Sequence, residues 1–355
     1  MAKQVKIKDI AMMAGVSVGT VDRVLHNRGR VSAESLAAVK AVLKDVGYSF
    51  NIHSSAVALK KKFRIAITTP TSSPGDYWAA IHSGFEHAMR EFADIDLDIT
   101  QAPYNQFDVY SCRDAYGEIR RSKPDVVVIG ATFVCETVEL CQSLDREGIP
   151  YIFIDAVIKG TKPIATYSAD QYACGFIVGR LLHSLVQGKG DLALLEMKRT
   201  GDMSSNNSLL RIEGFKAYLQ QAGLGGQLRD TKFSAVNPEE NEELFKDFFL
   251  KNPEVRGIAV MNSRGYVVAD YMKRAGIRDV SLVCFDLTTN NLRCIDDGSI
   301  SVLLCQRPEL QGFHAVKSAI SWLLYRQPQS NPHHVMPIDI ILKENLPFYR
   351  EMYTE

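Results

Sequence analysis

No run of about 18 consecutive apolar residues occurs in the 355-residue chain, which argues against a membrane-spanning helix. The opening MAKQVKIKDIAMMAG has basic residues, but no apolar stretch of signal-peptide length followed by a cleavage site. Both absences point to a cytoplasmic protein. No CxxC pair occurs among the seven cysteines, Cys112, Cys135, Cys141, Cys174, Cys284, Cys294 and Cys305. Odd in number and irregularly spaced, most should be small buried hydrophobes rather than redox or metal groups. Also missing are GxGxxG after the first strand, a GxxxxGK[ST] loop, HExxH, and a GxSxG elbow in the strand-and-helix region from Phe63 onward. The histidines are scattered, and His82 and His87 lack the i,i+4 spacing of a helical metal pair. An enzyme on a doubly wound fold is therefore the weaker reading, and no cofactor or metal is expected.

A net charge is lacking too, with 41 basic and 41 acidic residues, but the balance hides an asymmetry. Residues 1–62 carry eight Lys and three Arg against Asp9, Asp22, Glu34 and Asp45, a net +7, so the rest carries −7. A basic N-terminal module on a mildly acidic body suits a polyanionic partner for that module alone, although a solvated basic face has the same composition.

What is present begins with three short helical patterns. Ile7, Ile10, Ala11 and Ala14 share one face of the first, and Gly15 stops it. Ser17 is a good N-cap for a second helix with Val18, Val21, Val24 and Leu25 inward. Asn27-Arg28-Gly29 reads as a loop. Ser32 caps a third helix with Glu34 in its first turn and Leu36, Val39, Leu43 and Val46 as its apolar stripe. Residues 48–62, YSFNIHSSAVALKKK, read as a linker. From Phe63 onward strands alternate with amphipathic helices. Strands are expected at Arg64–Thr69, Leu97–Gln101, Val126–Gly130, Tyr151–Asp155, Leu192–Met197, Gly257–Met261 and Ser281–Phe285. Runs such as DVVVIG and PYIFID suit strands buried on both faces. The alternation implies an α/β class with doubly wound parallel sheets. About 290 residues exceed one ordinary sheet domain, so two lobes with a cleft are expected.

Gly15 between two short helices fits a helix-turn-helix. In that unit the second helix enters the major groove and its first residues meet the bases. Here those residues are Val18, Gly19 and Thr20, with Arg23 one turn on. Arg suits a bidentate contact with guanine, and the hydroxyls of Ser17 and Thr20 at a helix N-terminus can hold phosphates. A generic helical hairpin shares this short pattern.

Residues 7–60 resemble the DNA-binding headpiece of the LacI/GalR family. The matching residues are Ile7-Lys8-Asp9-Ile10-Ala11, Ala14-Gly15-Val16-Ser17, Thr20-Val21, Arg23-Val24-Leu25, Asn27, Val31-Ser32, and Gly47-Tyr48 with Asn51. The resemblance implies that Val18, Gly19 and Arg23 read bases while Ser17, Thr20 and Ser32 approach phosphates. Asp22 departs from the family's usual Ser, and a carboxylate there either accepts from cytosine N4 or orients Arg23. Family linkers fold into a hinge helix that wedges a Leu into the minor groove. The corresponding position is Val57, with Leu59 two residues on. Either could be the wedge, and packing between two linkers explains both equally well.

Residues 63–355 resemble the family's effector domain, itself similar to periplasmic sugar-binding proteins. That resemblance implies a regulator, by default a repressor, organised as a helix-turn-helix at 1–48, a linker at 49–62 and a two-lobed body at 63–355. Lobe 1 is expected at about 63–167 and 296–328, and lobe 2 at about 168–295 and 329–355. Ligands of such folds lie at the carboxyl ends of strands. Polar or aromatic residues just after strands are therefore the candidates. They are Asp76, Tyr77 and Trp78 after the first strand, then Asp155, Asp170, Asn262, Asp286 and Gln306, and the resemblance adds Arg211. Tyr77 could instead be packed into its lobe, and Asp170 could be a helix cap. Arg211 lies in an Arg-x-x-Gly-Phe stretch where the family's Arg holds ligand oxygens. The resemblance further implies a homodimer on palindromic operator DNA, controlled by a small effector. A sugar is the default, and a nucleoside or other polar metabolite suits the same residue types. A periplasmic binding protein would leave the headpiece unexplained.

Overall fold

The computed structural model describes residues 7–25, 31–45, 62–198, 206–234, 237–326 and 331–353. The first three helices are α1 (Ile7–Met13), α2 (Val18–Leu25) and α3 (Ala33–Asp45). Ile10, Ala11, Val21, Val24 and Val39 form their shared core, with Leu36, Val42 and Leu43 partly buried around it. Gly15 has φ +64, so the turn between α1 and α2 uses the left-handed region that glycine reaches without strain. The chain turns because Ser17 begins a new helix: the Ser17 hydroxyl accepts from the Thr20 amide at 3.1 Å and meets the Thr20 hydroxyl at 2.9 Å. Ser32 does the same for α3, accepting from the Ser35 amide at 3.2 Å. Ser17→Ala leaves the Thr20 amide without its cap. It is expected to cost about 1 kcal/mol, read as roughly fivefold faster hydrogen exchange in the first turn of α2.

The body has two six-stranded sheets. The first contains β1 (Phe63–Thr68), β2 (Leu97–Gln101), β3 (Val126–Gly130), β4 (Tyr151–Ile154), β5 (Ala165–Ala169) and β11 (His333–Met336), in the order β11-β5-β4-β3-β1-β2, all parallel. The second contains β6 (Asp191–Lys198), β7 (Leu228–Ser234), β8 (Val255–Ala259), β9 (Ser281–Phe285), β10 (Val302–Cys305) and β12 (Asp339–Ile341), in the order β12-β10-β9-β8-β6-β7. In that sheet β12 is the antiparallel member. All residues of β3 and β4 are buried, as continuous apolar strands covered on both faces must be.

The helices of the body are α4 (Tyr77–Glu91), α5 (Val109–Ser122), α6 (Val134–Glu147), α7 (Gln171–Val186), α8 (Asn206–Gln221), α9 (Pro238–Lys251), α10 (Gly265–Arg274), α11 (Thr289–Asp296), α12 (Pro308–Tyr325) and α13 (Leu346–Tyr353). Each sheet has apolar clusters on both faces, giving each lobe a two-sided core. In lobe 1, α12 packs on α4 beneath the first sheet. In lobe 2, α7 packs on α8. Gly175 of α7 makes that approach possible: a Cβ there would overlap the Arg211 carbonyl of α8.

The chain crosses between lobes three times: after β5 at Asp170, after β10 at Gln306–Arg307, and between β11 and β12. These points differ from the expected 167/168, 295/296 and 328/329. Residues 302–305 are a strand of the second sheet, and residues 333–336 return to the edge of the first. The sequence signal failed here because β11 and β12 are short, partly exposed edge strands, and because the sheet that β10 joins is set by its pairing with β9 rather than by its own residues. Among the described residues no helix is long and apolar enough to cross a membrane. Six of the seven cysteines are buried, Cys135 is exposed, and all are free thiols.

Candidate DNA-reading helix and interlobe cleft

Ser17, Val18, Gly19 and Arg23 are exposed, and Thr20 and Asp22 are partly so. Gly19, Asp22 and Arg23 lie on the face of α2 opposite Val21 and Val24, which are buried against α1 and α3, while Ser17, Val18 and Thr20 stand at its N-terminal end. Val18 corrects the sequence expectation of an inward residue, because it is 45% exposed. Helical periodicity aligns Val18 with Val21, but Val18 is the first residue of α2 and lies beyond the shared core. A Cβ at Gly19 would meet nothing nearer than the Ser17 hydroxyl at 3.8 Å, so this end of the helix is open to close approach. Ser32 is exposed at the start of α3. Asn27, Val57 and Leu59 lie outside the described residues.

In the body, eight of the nine sequence candidates converge on one cleft between the lobes: Asp76, Tyr77, Trp78, Asp155, Arg211, Asn262, Asp286 and Gln306. The space, its open mouth included, is about 790 Å³. Asp170 is the exception. It is exposed and caps α7, accepting from the Ala173 amide at 2.9 Å. Its place after a strand is the same as that of Asp155, but its carboxylate is used by the helix that follows it.

Arg211 is 4% exposed and anchors the lobe 2 wall. Nε donates to Gln171 Oε1 at 2.7 Å, Nη1 to the Met261 carbonyl at 2.9 Å, and Nη2 to Gln306 Oε1 at 2.8 Å. Its guanidinium also lies over the Phe285 ring, 4.0 Å from the centroid. The fork of donors thus meets acceptors from α7, the end of β8 and the second crossing, an arrangement that suits Arg and not Lys. Gln306 in turn donates to Asp286 Oδ1 at 3.0 Å. Burial pushes the Asp286 carboxyl up to about 7, and the Asp155 charge adds to this, while Arg211 and the Gln306 bond oppose it.

From lobe 1, the Tyr77 hydroxyl donates to Asp155 Oδ1 at 2.8 Å. Burial first, and then the nearby aspartates, raise the Tyr77 hydroxyl well above its ordinary range, so it remains a donor. Gln311 of α12 accepts from the Asp155 amide at 3.0 Å and donates to the Gln306 carbonyl at 2.9 Å. The Asp155 carbonyl accepts from Asn207 Nδ2 of α8 at 2.6 Å, a bond between lobes. Another joins the Thr289 amide to the Gly75 carbonyl at 3.0 Å. Asp155 and Asp286 both sit just past strands at positive φ, 64 and 69. Aspartate tolerates this region better than most residues but still pays for it, and such backbone clusters at ligand sites.

Sequence reading missed Thr71, Gln106, Thr132, Asn207, Ser208, Ser263, Arg264, Tyr266 and Thr288, which also line the cleft. Thr71, Gln106 and Thr132 follow strands, so the rule that found Asp155 could have found them. Arg264 could not be read this way. It bonds the Tyr266 hydroxyl at 2.8 Å and lies 5.9 Å from the Phe107 centroid of the other lobe, a relation set by how the lobes meet. The missed helix residues Gln171 and Gln311 are buried among partners distant in sequence, Gln306 for the first and the Asp155 amide for the second. Among the described residues no group of three or more His, Cys, Asp or Glu could hold a metal ion.

The family profile described as bacterial regulatory proteins, lacI family, matches residues 6–51, and that of the periplasmic binding protein domain matches residues 65–324. The HTH-type transcriptional regulator DegA of Bacillus subtilis is 24% identical over 294 residues, 79% of this chain and 81% of its own. The HTH-type transcriptional repressor PurR of Haemophilus influenzae is 23% identical over 288 residues, 77% and 81% of the two chains. The sucrose operon repressor of Pediococcus pentosaceus is 24% identical over 231 residues, 64% and 65%. Among solved structures, a chain from Bacteroides fragilis provisionally named a LacI transcriptional regulator superposes with a TM-score of 0.77. It is 28% identical, and the match covers 81% of this chain and all of that one.

Proposed function

We propose, for a chain that belongs to the lacI family of bacterial regulatory proteins and carries a periplasmic binding protein domain, that a sugar in the interlobe cleft controls its hold on a palindromic operator. The chain is a DNA-binding transcriptional regulator and not an enzyme. The observation that carries the proposal is that one polar cleft draws its walls from both lobes. A ligand filling it contacts both, so its affinity depends on the angle between them. Only such differential affinity can shift a conformational equilibrium.

The chemistry of the walls supports a polyhydroxylated ligand. Asp76, Asp155 and Asp286 supply acceptors for hydroxyl donors, and Asn262 supplies both a donor and an acceptor. Arg211 and Arg264 supply donors. The rings of Tyr77, Trp78 and Tyr266 border the same space and offer apolar faces for the C–H side of a sugar ring. On the DNA side, Val18, Gly19 and Arg23 of α2 would meet base edges while Ser17, Thr20 and Ser32 meet phosphates. Asp22 would orient Arg23 or accept from cytosine. Two subunits would present two such helices to two half-sites, as a palindrome requires.

Gel-shift titration with a palindromic operator, with and without a panel of monosaccharides, sugar phosphates and nucleosides, tests the reading. A sugar that changes operator affinity supports it. A nucleoside that does so while every sugar is silent replaces the sugar in it, and no DNA binding under any condition removes it. Arg23→Ala is expected to weaken operator binding by about 1–3 kcal/mol without lowering the protein's stability, since the side chain is exposed. Equal binding by parent and variant would show that Arg23 does not read a base.

A further inference from the structure

The wall formed by Tyr77, Asp286 and Thr288 has two sides: these residues line the polar cleft and also a second cavity behind it. This second space is about 1030 Å³ including its mouth. It too is built from both lobes, with Ala79 and Ala80 of α4 and Pro308 of α12 on one side, and Leu287, Leu292 and Leu346 on the other. Its character differs from that of the cleft. The cleft is crowded with hydrogen-bonding groups, whereas the second cavity is bounded mostly by aliphatic side chains and the ring of Tyr349.

Its charged groups are of one sign. Asp76 and Glu309 stand in the lining with Asp286, and among the described residues no Lys, Arg or His does. Glu309 lies in the first turn of α12, where the helix dipole favours its negative charge. The exposed His87 ring stands 3.8 Å from it, a long contact that is an ion pair only when the imidazole is protonated and that leaves the carboxylate able to accept a stronger donor. An apolar chamber with carboxylates and no cation suits a ligand with the opposite arrangement.

We infer that this cavity is a second ligand site, which takes a small organic cation: an ammonium group carried on an apolar body about the size of one aromatic ring. The body fills the space between α4 and the Leu287–Leu292 segment, and the ammonium meets Glu309 and Asp76. Such a ligand touches both lobes and shares a wall with the cleft, so it is coupled to the cleft ligand, and the coupling is reciprocal.

The test uses the full-length protein and does not depend on DNA or on the identity of the cleft ligand. 4-Fluorobenzylamine, 4-fluorobenzyl alcohol and 4-fluorobenzoate are titrated, with binding read by ¹⁹F NMR. The amine is expected to bind saturably, the alcohol about tenfold more weakly, and the benzoate not at all. Ala80→Trp fills the chamber and should abolish binding of the amine. Glu309→Gln should weaken the amine about tenfold and leave the alcohol unchanged. If Ala80→Trp does not fold, Leu292→Phe serves the same purpose. The proposal is overturned if no probe binds saturably, if the folded chamber-filling variant binds the amine as the parent does, or if amine and benzoate bind alike.

Discussion

Arg211→Met is expected to remove about 3–5 kcal/mol of stability, the cost typical of breaking a buried charged network from one side. Methionine keeps much of the apolar stem and can still lie on Phe285. It has no donor, however, so Gln171 Oε1, Gln306 Oε1 and the Met261 carbonyl each lose the hydrogen bond that Arg211 gives them. A buried acceptor left without its donor costs about 1–3 kcal/mol, and Asp286 also loses the positive charge that opposes its burial. Calorimetric unfolding of the full chain near neutral pH reads the effect. Arg211→Lys restores the charge but not the planar fork, so it should recover part of the loss and not all. A loss below about 1 kcal/mol for Arg211→Met would mean that the network closes around water without its guanidinium.

The parts of this network differ in how far the sequence discloses them, and the difference is physical. Arg211, Asp286, Gln306 and Asn262 are legible because each is tied to a local pattern, a strand end or a short motif. Gln171 and Gln311 look like ordinary helical residues. Each is buried with partners 40 to 234 positions away in sequence, and no local window contains those partners. Asp170 fails for the reverse reason, since a purely local bond to the Ala173 amide claims its carboxylate.

The same division holds for the fold. Strands with continuous apolar runs, such as β3 and β4, and helices with a clear amphipathic period announce themselves in sequence. The edge strands β11 and β12 do not. They are short, half-exposed and held by pairing with β5 and β10, which comes from chain crossings. Misplacing them moves the lobe boundaries while leaving the doubly wound class intact. In the headpiece, periodicity identified the buried face of α2 but not the point along the helix where its covering ends, and Val18 falls beyond it.

Asp286→Asn is expected to abolish a pH dependence that the parent shows between about pH 4 and 7. The carboxyl of Asp286 is pushed up to about 7 in the folded protein, against about 3.9 in an unfolded chain. A raised value means that the folded state holds this proton more tightly. Its stabilising contribution is therefore complete below about pH 4 and is lost as pH rises through 7. Three pKa units at about 1.4 kcal/mol each make this roughly 4 kcal/mol, an upper bound that relaxation around the charge will reduce. The amide neither ionises nor needs a counter-charge, so the variant should gain on the parent steadily across this range and be the more stable of the two at pH 8. Binding supplies a second reading of the same group. If the effector is, as proposed, a ligand whose hydroxyl donates to Asp286, it favours the ionised carboxylate, so its binding should tighten from pH 6 to 8 and release a proton, measurable by calorimetry in buffers of different ionisation enthalpy. In Asp286→Asn the proton release should vanish and the effector response should be lost, while operator binding without effector persists. A variant with the parent's pH slope would place the titration on another group. A variant that loses the slope but keeps a normal effector response would separate the titrating residue from the ligand contact.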